Sequence, residues 1–311
     1  MTATPTDTVR SGPVQNAPEP TGSGGPPQGP NALQGDYLDK KFEQVRARDF
    51  LKYRSADLPS WCPGCGYFGI MDAFYKACRE LDLTHENISV VSGIGCSGRT
   101  PVFINAYGFH TLHGRSIPVA TGLKLAREDL TVFAMAGDGD ALGIGGGHLP
   151  HVARKNIEIT FILFDNAIYG LTKGQSSSTT PYEMKTNSHP VGNPDTPLNP
   201  IKLALAYGAS FVARGYAGDP EGMREIIKAG TVHKGFSFIQ ILSPCVTFDK
   251  TYRTWKALKE NVYSLALHAP APDRMETAMR AAEQEPFATG IFFQDSQRPS
   301  YQDTLRLLNP S

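Results

Sequence analysis

The sequence predicts an α/β fold, a doubly wound, mainly parallel sheet flanked by helices, and three observations carry that expectation. Short apolar segments alternate with helix-like ones, as strand–helix–strand units require. Each apolar segment ends in glycine, small or polar residues. The 311 residues are 40% apolar, enough for a sizeable core. Segments 88–92, 131–136, 157–164 and 236–242 read as buried strands. Ile70, Phe74, Ala77, Cys78 and Leu81 recur at three- and four-residue steps, which predicts an amphipathic helix over 66–81. Further helices are expected over 118–127, 141–155 and 221–229. The second of these should kink or end early at Pro150. The third is opened by an N-cap Asp219 and a Pro220 at its first position.

Lys plus Arg number 30 and Asp plus Glu number 30, a formal net charge of zero. A protein that tracks nucleic-acid phosphates would carry a basic excess, so no nucleic-acid partner is expected. Apolar runs stay far short of the ~18 residues of a membrane span, and the N-terminus lacks the apolar segment of a secretory signal. A cytoplasmic protein without a membrane partner is expected. Residues 1–35 hold seven Pro, six Gly and no aromatic residue, too little apolar area to offset ordering entropy, and read as a disordered tail. The folded domain is expected over 36–255. The charged, Pro-containing segment 256–311 reads as a C-terminal extension that packs on the domain or contacts another subunit.

In open parallel sheets ligands bind beyond the carboxyl ends of the strands. Here the strands lead into Gly93-Ile94-Gly95-Cys96-Ser97-Gly98-Arg99, Gly137-Asp138-Gly139-Asp140, Asp165-Asn166-Ala167-Ile168-Tyr169-Gly170 and Ser243-Pro244-Cys245. A dinucleotide-binding G-x-G-x-x-G would need a third glycine where Leu142 stands. Asp138 and Asp140 would also repel a bare pyrophosphate. A divalent cation reverses that sign, because it binds carboxylate and phosphate together. Mg²⁺ takes one or two protein oxygens plus phosphate oxygens. Asp138, Asn166 and the Ile168 carbonyl are the candidate ligands of a metal-bridged diphosphate.

Five cysteines are too few and too odd in number for a disulfide framework. The pair Cys62-Pro63-Gly64-Cys65 is not delivered by an apolar strand, which argues against a thioredoxin-like dithiol. Cys96 and Cys245 lie on the strand-end edge, whereas Cys78 sits on the apolar face of the first helix and reads as a core residue. The candidate ligand set is therefore Cys62, Cys65, Cys96 and Cys245. Zinc usually closes a local knuckle, and iron–sulfur clusters tolerate ligands that the fold brings together from afar. Both remain open on the residues alone. His148 and His151 lack an H-E-x-x-H pattern and read as packing or surface residues.

Gly-Asp-Gly, followed after 25 residues by Asp165-Asn166, resembles the thiamin-diphosphate signature with Asp in place of its first terminal Asn. With Trp-Cys-Pro-Gly-Cys-Gly at 61–66, Gly-Ile-Gly-Cys-Ser-Gly-Arg at 93–99, His-Thr-Leu-His-Gly-Arg at 110–115 and Ser-Pro-Cys at 243–245, the region 45–255 resembles the β subunits of 2-oxoacid:ferredoxin oxidoreductases, most closely the 2-oxoglutarate type. The resemblance implies the diphosphate-type domain of the thiamin-diphosphate fold. It places Mg²⁺ on Asp138, Asn166 and Ile168, and a 4Fe–4S cluster on the four chosen cysteines. Cofactor contacts fall on Ile94, Gly95, Cys96, Ser97, Gly137, Gly139, Asp140, Gly170 and Leu171. His113 is expected to reach the cofactor phosphates or the substrate carboxylate, and Arg99 the distal carboxylate of a larger substrate. The implied reaction is oxidative decarboxylation of a 2-oxoacid with coenzyme A, electrons passing through the cluster to ferredoxin, or the reverse carboxylation. The implied partner is an α subunit carrying the pyrimidine-type domain, in an α2β2 assembly. Rival expectations are a pyruvate or broad-specificity enzyme, a non-oxidative thiamin decarboxylase whose cysteines hold zinc or nothing, and an electron-transfer module without thiamin.

Overall fold

The computed structural model describes residues 52–248, 255–265, 275–283 and 287–309, all within one unit running from 48 to 311. The tail expected at 1–35 lies outside the described residues. In chain order the elements are α1 (Tyr67–Glu80), β1 (Ile88–Ser92), β2 (Tyr107–His110), α2 (Ser116–Ala126), β3 (Thr131–Gly137), α3 (Leu149–Lys155) and β4 (Ile159–Asp165). A small ribbon comes next, β5 (Ile168–Tyr169) with β6 (Gln175–Ser176), then α4 (Pro200–Ala206), β7 (Phe211–Tyr216), α5 (Pro220–Val232) and β8 (Phe236–Leu242). The chain closes with α6 (Trp255–Glu260), β9 (Val262–Ser264), α7 (Met275–Glu283), β10 (Phe287–Gln294) and α8 (Tyr301–Leu308).

Eight strands form one sheet in the order β2-β1-β3-β4-β8-β7-β10-β9. From β2 to β7 every neighbour is parallel. β10 then joins antiparallel to β7, with β9 parallel beside it. All four expected strands are present. β4 starts two residues late, because Asn156 ends α3 in the left-handed region (φ 57°) and the Ile157 carbonyl closes a tight turn by accepting from the Ile159 amide at 2.8 Å. Three of the strands missed in the sequence lack a continuous apolar run: β2 is exposed throughout, β7 carries Arg214 and Gly215, and β10 is broken by Thr289 and Gly290. The segment after 255 packs by adding β9 and β10 to this sheet.

The helix expected over 141–155 is a correction. A π-type turn at Gly139–Ile144 breaks at Gly143, and α3 begins only at Leu149. Pro150 thus sits in the first helical turn, where its missing N–H is no loss. The start expected for α5 holds, since the Asp219 side chain accepts from the Gly222 amide at 2.9 Å. Alternation along the strands feeds two cores. Phe133, Ile162 and Ile239 face one side with Phe74 of α1, and Phe161, Leu163 and Phe238 face the other with Ile201 and Leu205 of α4. Each such side chain contributes about 1.5–3 kcal/mol on burial, which holds the strand ends in register and fixes the loops between them. Among the described residues no helix is long and apolar enough to cross a membrane.

Candidate active site

The loops after β1, β3 and β4 enclose a cleft of about 580 Å³ at the carboxyl edge of the sheet. Ile94, Gly95, Cys96, Ser97, His113, Gly137, Asp138, Gly139, Asp140, Asn166, Ile168, Gly170 and Leu171 all line it, together with Tyr67, Tyr169 and Thr172. Three carboxylates are buried at or beside its floor, Asp138, Asp140 and Asp165. Asp138 accepts from the Asn166 amide at 3.3 Å and from Ser177 Oγ, and its Oδ2 lies 2.9 Å from Thr179 Oγ1. Asp140 Oδ1 accepts from the Gly114 amide at 2.7 Å and from His113 Nδ1, while its Oδ2 is buried with no hydrogen-bond partner. Nδ1 is thereby engaged by Asp140, and Nε2 is the ring nitrogen left for a further contact.

The turn after β4 presents the remaining oxygens. Asp165 Oδ1 accepts from the Ala167 amide at 3.2 Å, an arrangement that holds Ala167 at φ 59°. Thr180 Oγ1 donates to the Ala167 carbonyl at 2.6 Å, and Asn166 Oδ1 accepts from the Ile168 amide at 3.1 Å. Tyr169, on the same turn, donates from its hydroxyl to the Gly139 carbonyl at 2.9 Å. The Tyr169 phenol therefore ties the β3 and β4 loops together.

A second cavity, of about 820 Å³, adjoins the first and shares Tyr67, Cys96, Asn166, Gly170 and Leu171 with it. Cys62, Cys65, Cys96 and Cys245 all line it, as does Arg99. Cys78 lies apart, 1% exposed in the core beneath α1. Local chemistry explains the convergence. Pro63 and Gly64 (φ 79°) form a turn closed by the Cys65 amide on the Cys62 carbonyl at 3.0 Å, a conformation that needs glycine at its third position. A Cβ on Gly66 would fall 2.3 Å from Ser243 Oγ, so only a glycine lets the start of α1 approach the loop that carries Cys245. Trp61 Nε1 donates to the Cys96 carbonyl at 2.7 Å, and Trp255 Nε1 to the Gly64 carbonyl at 3.1 Å. Burial pushes the Cys65 thiol up to about 12, against a lowering contact from the Tyr67 amide, and burial raises Cys96 as well. Arg99 lies outside the first cleft, where its Nη1 donates to Ser60 Oγ at 2.6 Å.

The donors fit the expected groups unequally. Asp138, Asn166 and the Ile168 carbonyl offer hard oxygens in one cleft, which suits Mg²⁺, and the orphaned Asp140 Oδ2 marks the same floor as built for a further partner. A Cβ on Gly170 would lie 3.6 Å from Cys96 Sγ and 3.7 Å from Cys245 Sγ, so glycine keeps open the space beside both sulfurs. Among the described residues no three His, Cys, Asp or Glu side chains already form a ready metal-holding group. Sequence reasoning missed Ser177, Thr179, Tyr169 and the two tryptophans. The run of hydroxyl residues from Ser176 to Thr180, beginning eight positions after Ile168, was the available signal.

Residues 93–241 match the C-terminal thiamine-pyrophosphate-binding domain of thiamine pyrophosphate enzymes, so the fold and cleft define a thiamin-diphosphate-binding domain. Residues 245–309 match the C-terminal part of the pyruvate ferredoxin oxidoreductase β subunit. The chain is 42% identical over 275 residues to the β subunit of 2-oxoacid:ferredoxin oxidoreductase 2 of Aeropyrum pernix, covering 85% of this chain and 89% of that one. It is 49% identical over 189 residues to the 2-oxoglutarate oxidoreductase subunit KorB of Mycobacterium tuberculosis, 61% of this chain and 51% of that subunit. A solved 2-oxoglutarate:ferredoxin oxidoreductase from Magnetococcus marinus, with 2-oxoglutarate, coenzyme A and succinyl-CoA bound, superposes with a TM-score of 0.80 at 41% identity, covering 84% of this chain and 90% of that one. The chain belongs to the β subunits of the 2-oxoacid:ferredoxin oxidoreductases.

Proposed function

We propose that this β subunit, with an α subunit that supplies the pyrimidine-type domain in an α2β2 assembly, oxidatively decarboxylates 2-oxoglutarate with coenzyme A and passes the electrons to ferredoxin, a reaction that also runs as reductive carboxylation. The observation that carries the reading is the shared wall of the two cavities: an oxygen-donor cleft and a four-thiol cavity meet at Cys96, Asn166 and Gly170. Asp138, Asn166 and the Ile168 carbonyl would hold Mg²⁺ and through it a diphosphate. Cys62, Cys65, Cys96 and Cys245 would hold a 4Fe–4S cluster. Thiamin diphosphate, when bound, supplies the electron sink for decarboxylation, and the cluster a one-electron acceptor. Asp140 orients His113 through Nδ1, so that Nε2 is presented to the cleft as the contact for phosphate or substrate carboxylate. Arg99, in the adjoining cavity, is the candidate guanidinium for the distal carboxylate of 2-oxoglutarate. The substrate follows the names of the relatives; pyruvate or a broader range of 2-oxoacids is the second reading, supported by the 2-oxoacid naming of the Aeropyrum relative.

The test is anaerobic co-expression with the α subunit. Expected are visible cluster absorbance, Mg²⁺ and acid-labile sulfide, and coenzyme A-dependent ferredoxin reduction faster with 2-oxoglutarate than with pyruvate. Asp138→Ala should remove thiamin diphosphate retention and turnover. A colourless complex would favour a non-oxidative decarboxylase. Unchanged cofactor content and turnover in Asp138→Ala would leave an electron-transfer module.

A further inference from the structure

Resting on the metal site just proposed, we infer that Arg214 and Gln240 are positioning residues for all three metal-binding oxygens. Three neighbouring strands, β7, β8 and β4, place a buried polar residue on the same sheet face, where alternation calls for apolar ones. Arg214 and Gln240 are direct cross-strand partners, and Asp165 lies two residues beyond Leu163, the partner of Gln240 on β4. Each is at most 2% exposed. Burying an arginine, an amide and a carboxylate is costly unless their hydrogen bonds are met, so such a row must be well connected to persist.

It is connected in one direction only. Arginine is a pure donor and an ionised carboxylate a pure acceptor, which fixes the Gln240 amide between them without a flip ambiguity. Arg214 Nε donates to Gln240 Oε1 at 2.8 Å, and Gln240 Nε2 donates to Asp165 Oδ2. The guanidinium is itself set between the rings of Phe287 and Phe292, at 5.4 and 5.2 Å, and donates to the Ala288 carbonyl at 3.3 Å. That leaves Asp165 Oδ1 to two tasks. It accepts from the Ala167 amide at 3.2 Å, which shapes the turn carrying Asn166 and Ile168. It also accepts from Thr179 Oγ1 at 2.8 Å, and the same hydroxyl lies 2.9 Å from Asp138 Oδ2. A carboxylate at 165 offers an acceptor on both oxygens; an amide there would offer one. The aromatic clamp on Arg214 thus sets the position of Gln240, then Asp165, and through its two branches Asn166, Ile168 and Asp138.

Asp165, Thr179, Arg214 and Gln240 also border a separate cavity of about 870 Å³. A role confined to satisfying polar groups around that cavity would affect stability and leave the metal site untouched. The experiment separates the two. The assembled enzyme is stripped of Mg²⁺ with a chelator and titrated with Mg²⁺ by calorimetry at saturating thiamin diphosphate. Gln240→Met and Arg214→Met, which keep bulk and remove the hydrogen bonds, should each raise the half-saturating Mg²⁺ about tenfold, the scale on which supporting partners of metal ligands act. Iron content should stay at the wild-type level. Ile239→Val, on the opposite face of the same strand, should lower the melting temperature and leave the Mg²⁺ titration unchanged. Should Gln240→Met not assemble, Gln240→Asn, which withdraws the amide by one methylene, carries the same expectation. A wild-type titration in these variants, whatever their melting temperatures, overturns the inference. A wild-type enzyme that takes up no Mg²⁺ overturns the proposed function itself, a different result.

Discussion

Replacing Gly93 with alanine probes how rigidly the cleft floor is built. The added Cβ would sit 1.7 Å from Asp140 Oδ2, 2.6 Å from its Cγ and 2.9 Å from Oδ1, so the whole carboxylate is in the way. Ordinary contact would require Oδ2 to retreat by about its present separation again. Rotation alone cannot deliver that, because Oδ1 is held by the Gly114 amide at 2.7 Å and by His113. Hydrogen bonds to a charged acceptor contribute about 1.5–3 kcal/mol each, and forced overpacking costs about 1–3 kcal/mol. Losing one bond and keeping some strain gives a destabilisation of roughly 4 kcal/mol. Urea unfolding reads this directly, and thiamin diphosphate content should fall with it as His113 loses its anchor. The decisive comparison is a double-mutant cycle. In an Asp140→Ala background the obstacle is gone, and Gly93→Ala should cost under about 1 kcal/mol, an interaction of about 3 kcal/mol. Additive effects would refute the clash with Asp140 as the reason for glycine at 93.

Three further outcomes are expected. Burial pulls His233 down from 6.5 to about 4, outweighing the opposite pull of Asp295 and Glu158. The unfolded chain therefore takes up this proton first as pH falls, so stability should drop between about pH 6.5 and 4 by about 3 kcal/mol and level off below; His233→Gln should flatten that part of the curve, and an unchanged pH profile would remove His233 as its source. Cys96→Ser and Cys245→Ser should each strip iron and visible absorbance from the assembled enzyme, while Cys78→Ser should keep the iron and lose about 1–2 kcal/mol of stability by burying a hydroxyl in the core. Arg99→Ala should raise KM for 2-oxoglutarate by tenfold or more, about 1.4 kcal/mol, and leave KM for pyruvate near its wild-type value; equal losses on both substrates would end the distal-carboxylate role.

The sequence by itself determined the strand-and-helix core and which residues gather at its edge. β1, β3, β4 and β8 are continuous apolar runs, so their burial is written in composition, and the loop leaving each run must emerge at the same end of a parallel sheet. Pro63-Gly64 specifies its turn locally, and Asp219-Pro220 its helix start. Tertiary structure alone decided the rest. That the four cysteines share one cavity depends on α1 packing against the loop after β8. The edge strand β2 owes its place to pairing with β1, since none of its residues is buried. β7 would not read as a strand with Arg214 inside it, yet the guanidinium is satisfied by a glutamine 26 residues away, and that glutamine by an aspartate 75 residues away. Period-two patterning says which face a side chain takes and nothing about which strand lies beside it. Strand order and register supply that neighbour, and with it the hydrogen bonds that make a buried polar row tolerable.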